Sequence, residues 1–213
     1  MAIHNSSDRL KKLALTGILA GIVVILQLFS GQIHFGPFSI TLALVPIIVG
    51  GALCGPLSGA FLGLVFSVVV LINDSQAFLV INPLGTVLTV LLKGTLAGLV
   101  SAIIYRIFRR FRIHFVLEAK GKEVWRTDFA VSLAAIFSPI VNTGIFLLGC
   151  WIFFMPTIRE WAAGAGYEDA GSFMILGLVG ANFLVELAVV ILLCPVIERL
   201  IAIAAKMDTE RTE

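Results

Sequence analysis

The sequence predicts an all-α integral membrane protein, one domain over 1–213 built as a bundle of six transmembrane helices with both termini cytoplasmic. Two observations of composition and one of patterning carry this. Of the 213 residues 59% are hydrophobic and only 13% charged, where ordinary soluble domains carry roughly 25%. Mean hydropathy is +1.06. From Leu13 to Asn73 there is no Asp, Glu, Lys or Arg, and a water-soluble domain has no way to hide such a run.

A bilayer core of roughly 30 Å asks for about 20 apolar residues per helix, with about 17 still workable. The polar, basic "MAIHNSSDRLKK" reads as a cytoplasmic lead, because the apolar run after it lacks a small-x-small cleavage site. The first span is expected over 13–29, ended by the Gly, Pro and polar residues of "SGQIHFGPFS". A short second span, 40–54, stops at "CGPLSG", and a short third covers 57–72. After "NDSQAFLVINP" the fourth span covers 84–108. The basic insert "RRFRIHFVLEAKGKEVWRTD" follows, then the fifth span, 129–154. "MPTIREWAAGAGYEDAGS" leads into the sixth, 173–204, where Pro195 should kink the helix or mark its exit.

Charge sets the orientation. Arg9, Lys11, Lys12, Arg106, Arg109, Arg110, Arg112, Lys120, Lys122, Arg126, Arg199 and Lys206 all fall on one side of a six-span chain, and only Arg159 lies in the loops of the other. The positive-inside rule makes the basic side cytoplasmic, in the cell membrane. These residues flank spans, so they read as topology determinants and not as a nucleic-acid surface. Cys54, Cys150 and Cys194 are far apart in apolar surroundings and read as packing residues; no His, Asp, Glu or Cys cluster has metal-ligand spacing.

Polar residues inside the spans are the candidates for function. At 1.5 Å rise per residue, Lys93 lies roughly 14 Å in from its outer span end, Asn142 roughly 18 Å, Asn182 roughly 14 Å and Glu186 roughly 20 Å. Four polar side chains on three helices thus converge near the midplane, where ionisable groups face the interior and tend to mark function. Lys93 is expected either to neutralise Glu186 or to hold a carboxylate or phosphate-like ligand group; Pro139 suggests a local break in the fifth helix. Outer-loop residues add aromatic and hydrogen-bonding character that suits a small ligand: His34, Asp74, Gln76, Phe78, Trp161 and Tyr167. Substrate-binding candidates are therefore Lys93, Asn142, Asn182, Glu186, His34, Gln76 and Trp161. Small residues recur at four-residue steps, Thr16 with Ala20 and Gly17 with Gly21 on the first helix, and Gly51, Gly55, Gly59 and Gly63 further on. Such faces allow close helix approach.

The segments "FSITLALVPIIVGGALCGPLSGAFLGLVFS", "NPLGTVLTVLLKGTLAGL" and "PIVNTGIFLLG" are similar to the vitamin-uptake branch of the substrate-binding S-components of energy-coupling factor (ECF) transporters. The resemblance covers nearly the whole chain. It implies capture of a water-soluble vitamin of the pantothenate, folate or riboflavin class from the outer side. It also implies docking onto a transmembrane coupling subunit with two ATP-binding-cassette ATPases. The family's first-helix Ala-xxx-Ala is replaced here by Thr16-xxx-Ala20 and Gly17-xxx-Gly21, the candidate docking residues. The chain has no Gly-rich phosphate loop, so it is expected to bind no cofactor, with ATP hydrolysed by the partners.

Catalytic residues are not expected. An intramembrane serine protease needs Gly-x-Ser-Gly and a membrane-embedded histidine, whereas Ser58 sits in "GPLSG" and His4, His34 and His114 lie outside the spans. A stand-alone secondary transporter is the alternative; it usually carries inverted repeats, and no convincing repeat is found here.

Overall fold

The structure, a computed structural model, describes residues 2–30, 34–35, 38–39, 41–111, 113–119 and 122–209, with side chains over 9–30, 41–111, 113 and 128–204. Helices dominate. Helix α1 spans Ala2–Ser30, α2 Leu44–Cys54, α3 Pro56–Asn73, α4 Gln76–Ile81, α5 Pro83–Phe108, α6 Phe129–Phe153 and α7 Met155–Gly164. The three-residue α8, Ala170–Ser172, leads through a π-helical stretch, Phe173–Gly180, into α9, Ala181–Thr209. Among the described residues two antiparallel hairpins interrupt the bundle: β1 (His34–Phe35) with β2 (Phe38–Ser39), and β3 (His114–Ala119) with β4 (Lys122–Asp128). The second hairpin lies in the basic insert, and α4 and α7 lie in the two opposite loops.

Among the described residues, five helical stretches are long and apolar enough to cross a membrane: Arg9–Ser30, Pro56–Asn73, Pro83–Phe111, Phe129–Phe153 and Ala170–Ala204. Within the expected second span, 40–54, the helix is the 11-residue α2. At 1.5 Å per residue it is about 16 Å long, shorter than a bilayer core of roughly 30 Å. Leu44, Pro46, Ile47, Ile48, Val49, Gly50 and Gly51 of α2 are buried, so it serves as a central packing element. The break after α2 is local chemistry. Gly55 takes φ +103°, a conformation open to glycine, and Pro56 begins α3, where its missing N–H costs no helical bond.

Glycines set how closely α3 and α5 meet. A Cβ on Gly63 would strike the Gly94 carbonyl, and one on Gly59 the Gly98 carbonyl; the reverse substitutions strike the same pairs from α5. Backbone therefore lies on backbone, as small residues allow in membranes, where packing supplies the attraction. The contact fixes the rotation of α5, and Lys93 precedes Gly94 in it. On the other side of α5, Gly149 of α6 gives way to Thr89, and Gly85 to Phe153. Asn82 caps α5 through Gly85 N–H at 2.9 Å, and Asp128 caps α6 through Ala130 N–H at 2.7 Å. Glu198 Oε2 accepts from Asp128 N–H at 2.9 Å, tying α9 to the start of α6.

Pro139 does not break α6, which runs helically from Phe129 to Phe153. Neighbouring helices can support a proline in this way, because local adjustment covers the bond it cannot donate. Pro195 likewise lies inside α9, which continues to Thr209. The irregularity falls elsewhere, in the π-helical Phe173–Gly180, whose wider turns re-aim the helix that follows.

Candidate functional site

A cavity with an open mouth sits in one half of the bundle. Its walls come from the end of α1 (Gln27), the ends of α3 and α4 (Phe66, Val70, Asp74, Phe78), the first half of α5, the second half of α6 and the start of α9. That half is opposite the end where α5 carries Arg106 and Arg109.

Helical periodicity aims the side chains. Thr86, Val90 and Lys93 follow at four and three residues on α5; Asn142 and Phe146 are four apart on α6; Val179, at the end of the π-helical stretch, is followed at three and four residues by Asn182 and Glu186 of α9. Each helix thus turns one polar-and-apolar stripe inward. Lys93, Asn142, Asn182 and Glu186, singled out by depth in the sequence, all line this cavity. The stripes also bring in Gln27, Thr41, Thr86, Thr89 and Phe146. Helix-face spacing from Lys93 and Asn142 marks Thr86, Thr89 and Phe146; no local signal marks Gln27 or Thr41, which arrive from distant elements.

The other candidates are placed differently. Gln76 is exposed, and its Nε2 donates to the Ile72 carbonyl at 2.9 Å. Trp161 does not line the cavity but packs edge-on against Phe78, with ring centroids 5.7 Å apart. Phe78 also meets Phe146 at 5.6 Å and Phe154 at 5.1 Å, so α4 and α7 close one side of the cavity with aromatic rings. The side chain of His34 lies outside the described residues, although its backbone forms β1.

The polar interior is incompletely paired. No contact ion pair joins Lys93 to Glu186. The Lys93 ammonium lies 5.3 Å from the centroid of the Phe146 ring, a cation–π distance. Asn182 Nδ2 donates to Glu186 Oε1 at 3.3 Å. Glu186 Oε2, Asn142 Oδ1, Asn182 Oδ1, Gln27 Oε1 and Thr89 Oγ1 are buried without a hydrogen-bond partner. Buried polar atoms are ordinarily paired, because leaving one unpaired costs about 1–3 kcal/mol. A cluster of them around one cavity, beside a cation with no carboxylate in contact, suits a ligand that brings hydrogen-bonding groups and a negative charge.

On α1 the two small-residue pairs separate. Thr16 is buried, donating to the Lys12 carbonyl at 2.7 Å and meeting Ser58 Oγ at 3.2 Å. Ala20 packs against the core. Gly17 and Gly21, one residue further round the helix, are exposed, and a Cβ on either would meet nothing within 4 Å.

Comparison with known proteins adds two findings. The family model described as "ECF transporter, substrate-specific component" matches residues 11–198. The chain is 28% identical, over 188 residues, to the pantothenic acid transporter PanT of Lactococcus lactis subsp. cremoris (strain MG1363), covering 84% of this chain and 88% of that protein.

Proposed function

This chain belongs to the family of substrate-specific components of ECF transporters, and from that premise we propose that it captures pantothenate for import. Membership makes it a multi-pass membrane component of vitamin uptake and not an enzyme. The observation that carries the choice of ligand is Lys93, a cation inside a membrane-spanning helix, facing a cavity, with no carboxylate in contact. A charge at such depth costs at least about 2.5–3.5 kcal/mol on insertion scales, so it calls for a counter-charge.

Pantothenate supplies one. Its carboxylate matches the Lys93 ammonium, its hydroxyls and amide match the unpaired atoms of Asn142, Asn182 and Gln27, and its gem-dimethyl carbon matches Phe66 and Val179. The likeness to PanT supports the same vitamin. Calorimetric titration of the purified chain should give one-to-one binding of pantothenate, with riboflavin and folate at least ~100-fold weaker, about 2.7 kcal/mol. Tighter binding of riboflavin or folate, or no binding of pantothenate, would overturn this reading.

The basic residues around Arg106 and Arg109 support a cytoplasmic face at that end, with the cavity half toward the outside. Release to the cytoplasm then falls to a coupling subunit and two ATPases that use ATP, docked on the outward strip of α1 around Gly17 and Gly21. Gly21→Leu should abolish uptake of labelled pantothenate by cells holding the full complex, while the purified variant keeps its affinity within about twofold (~0.4 kcal/mol). Bulk at Ala20 would act differently, because that residue packs inward. Normal uptake by Gly21→Leu, or uptake by cells that lack the ATPases, would sink the docking proposal.

A further inference from the structure

The cavity holds more anionic than cationic groups. Lys93 is the one cationic residue among its described walls, against the carboxylates of Asp74 and Glu186. Asp74 is served by Gln27 Nε2 at 3.0 Å. Glu186 is 2% exposed, accepts from Asn182 on Oε1, and has no hydrogen-bond partner on Oε2. The elements around it offer little else that titrates. Helix α5 presents Lys93, the end of α3 presents Asp74, and α6 presents Cys150 beside Lys93. Helix α2, "LVPIIVGGALC", carries no charge. On α9 itself Cys194 and Glu198 lie two and three turns further along, where β4 meets the helix.

An anion held on Lys93 takes up the positive charge that offsets Glu186. Two carboxylates would then share one ammonium inside protein, a situation that drives one of them to take a proton. We propose that this site loads its anion together with a proton, and that the proton goes to Glu186. The inference rests on the pantothenate reading. The ligand enters as its carboxylate, a proton from solvent bonds to the Glu186 carboxylate, and no bond of the ligand breaks. Loading therefore adds no net charge to the cavity, so the filled carrier bears the same buried charge as the empty one.

Titration calorimetry at about pH 8, in buffers of different ionisation enthalpy, counts the protons taken up. Pantothenate should bring in close to one proton, and panthenol, its neutral alcohol analogue, none. Pantothenate affinity should fall by up to about tenfold per pH unit as pH rises, because the proton is a co-ligand. Glu186→Gln should abolish the uptake and flatten the pH profile. Uptake that survives in Glu186→Gln would assign the proton to another group and overturn the proposal. If that variant does not fold, the wild type still decides: equal uptake with both ligands, or none with pantothenate, overturns it. Pantothenate binding without a proton defeats this inference alone; no pantothenate binding at any pH defeats the substrate reading as well.

Discussion

Replacing Lys93 with Met is expected to weaken pantothenate binding by at least ~100-fold while the bundle stays folded. The ammonium is the cation facing the cavity, and removing one partner of a buried charged contact costs about 2–5 kcal/mol. Met keeps the length and apolar stem of the side chain, so the contact with Phe146 is retained in shape. Stability should change less than affinity. A broken contact ion pair typically costs about 3–5 kcal/mol, but Lys93 and Glu186 do not form one, and Glu186 keeps Asn182 as a neutral partner. The double variant Lys93→Met with Glu186→Gln should therefore match the wild type in thermal stability and still bind weakly. Full affinity in the double variant would make Lys93 a structural residue and refute its role at the site.

Gly63→Leu should be the most damaging single change to the fold. Its side chain would have to enter the space held by the Gly94 carbonyl and the Thr95 backbone, where no flexible neighbour can swing aside. Overpacking a core costs about 1–3 kcal/mol even where side chains can adjust. We expect at least the upper end of that range, a fall of roughly 10 °C in the unfolding midpoint on the scale of soluble domains of this size. Because α5 would be pushed off α3, the loss should extend to pantothenate binding through displacement of Lys93. Gly144→Leu is the control: a Cβ there meets nothing within 4 Å, and its midpoint should stay within about 2 °C. Equal damage from both variants, read by thermal unfolding in detergent, would mean that the α3–α5 contact is not what holds the bundle.

Much of the candidate site was legible before any tertiary contact was known, and the reason is geometric. A helix rises by a constant step, so depth in the bundle follows from counting residues, and Lys93, Asn142, Asn182 and Glu186 share a depth on that count alone. Residues that came from elsewhere were not legible. Gln27 looks like a stray amide on the first helix, and Thr41 like one more residue at the start of the expected second span; both reach the cavity through packing of distant elements. Pro139 drew attention to α6 through a rule about single helices, yet α6 stays helical there. Phe173–Gly180 contains no proline to flag its π-helical turns.

By itself, the sequence determined the solvent of this protein and the break between α2 and α3. Hydropathy sums along the chain whatever the fold, and Gly55 with Pro56 ends one helix and starts another by backbone chemistry alone. Rotation about each helix axis was decided only by the tertiary structure. It depends on contacts between residues far apart in the chain, above all Gly59 and Gly63 against Gly94 and Gly98. That rotation faces Lys93 into a cavity without contact to Glu186, and turns Gly17 and Gly21 outward while Thr16 faces in. Spacing along one helix defines such faces but not what they meet, because each meeting is a packing of two surfaces.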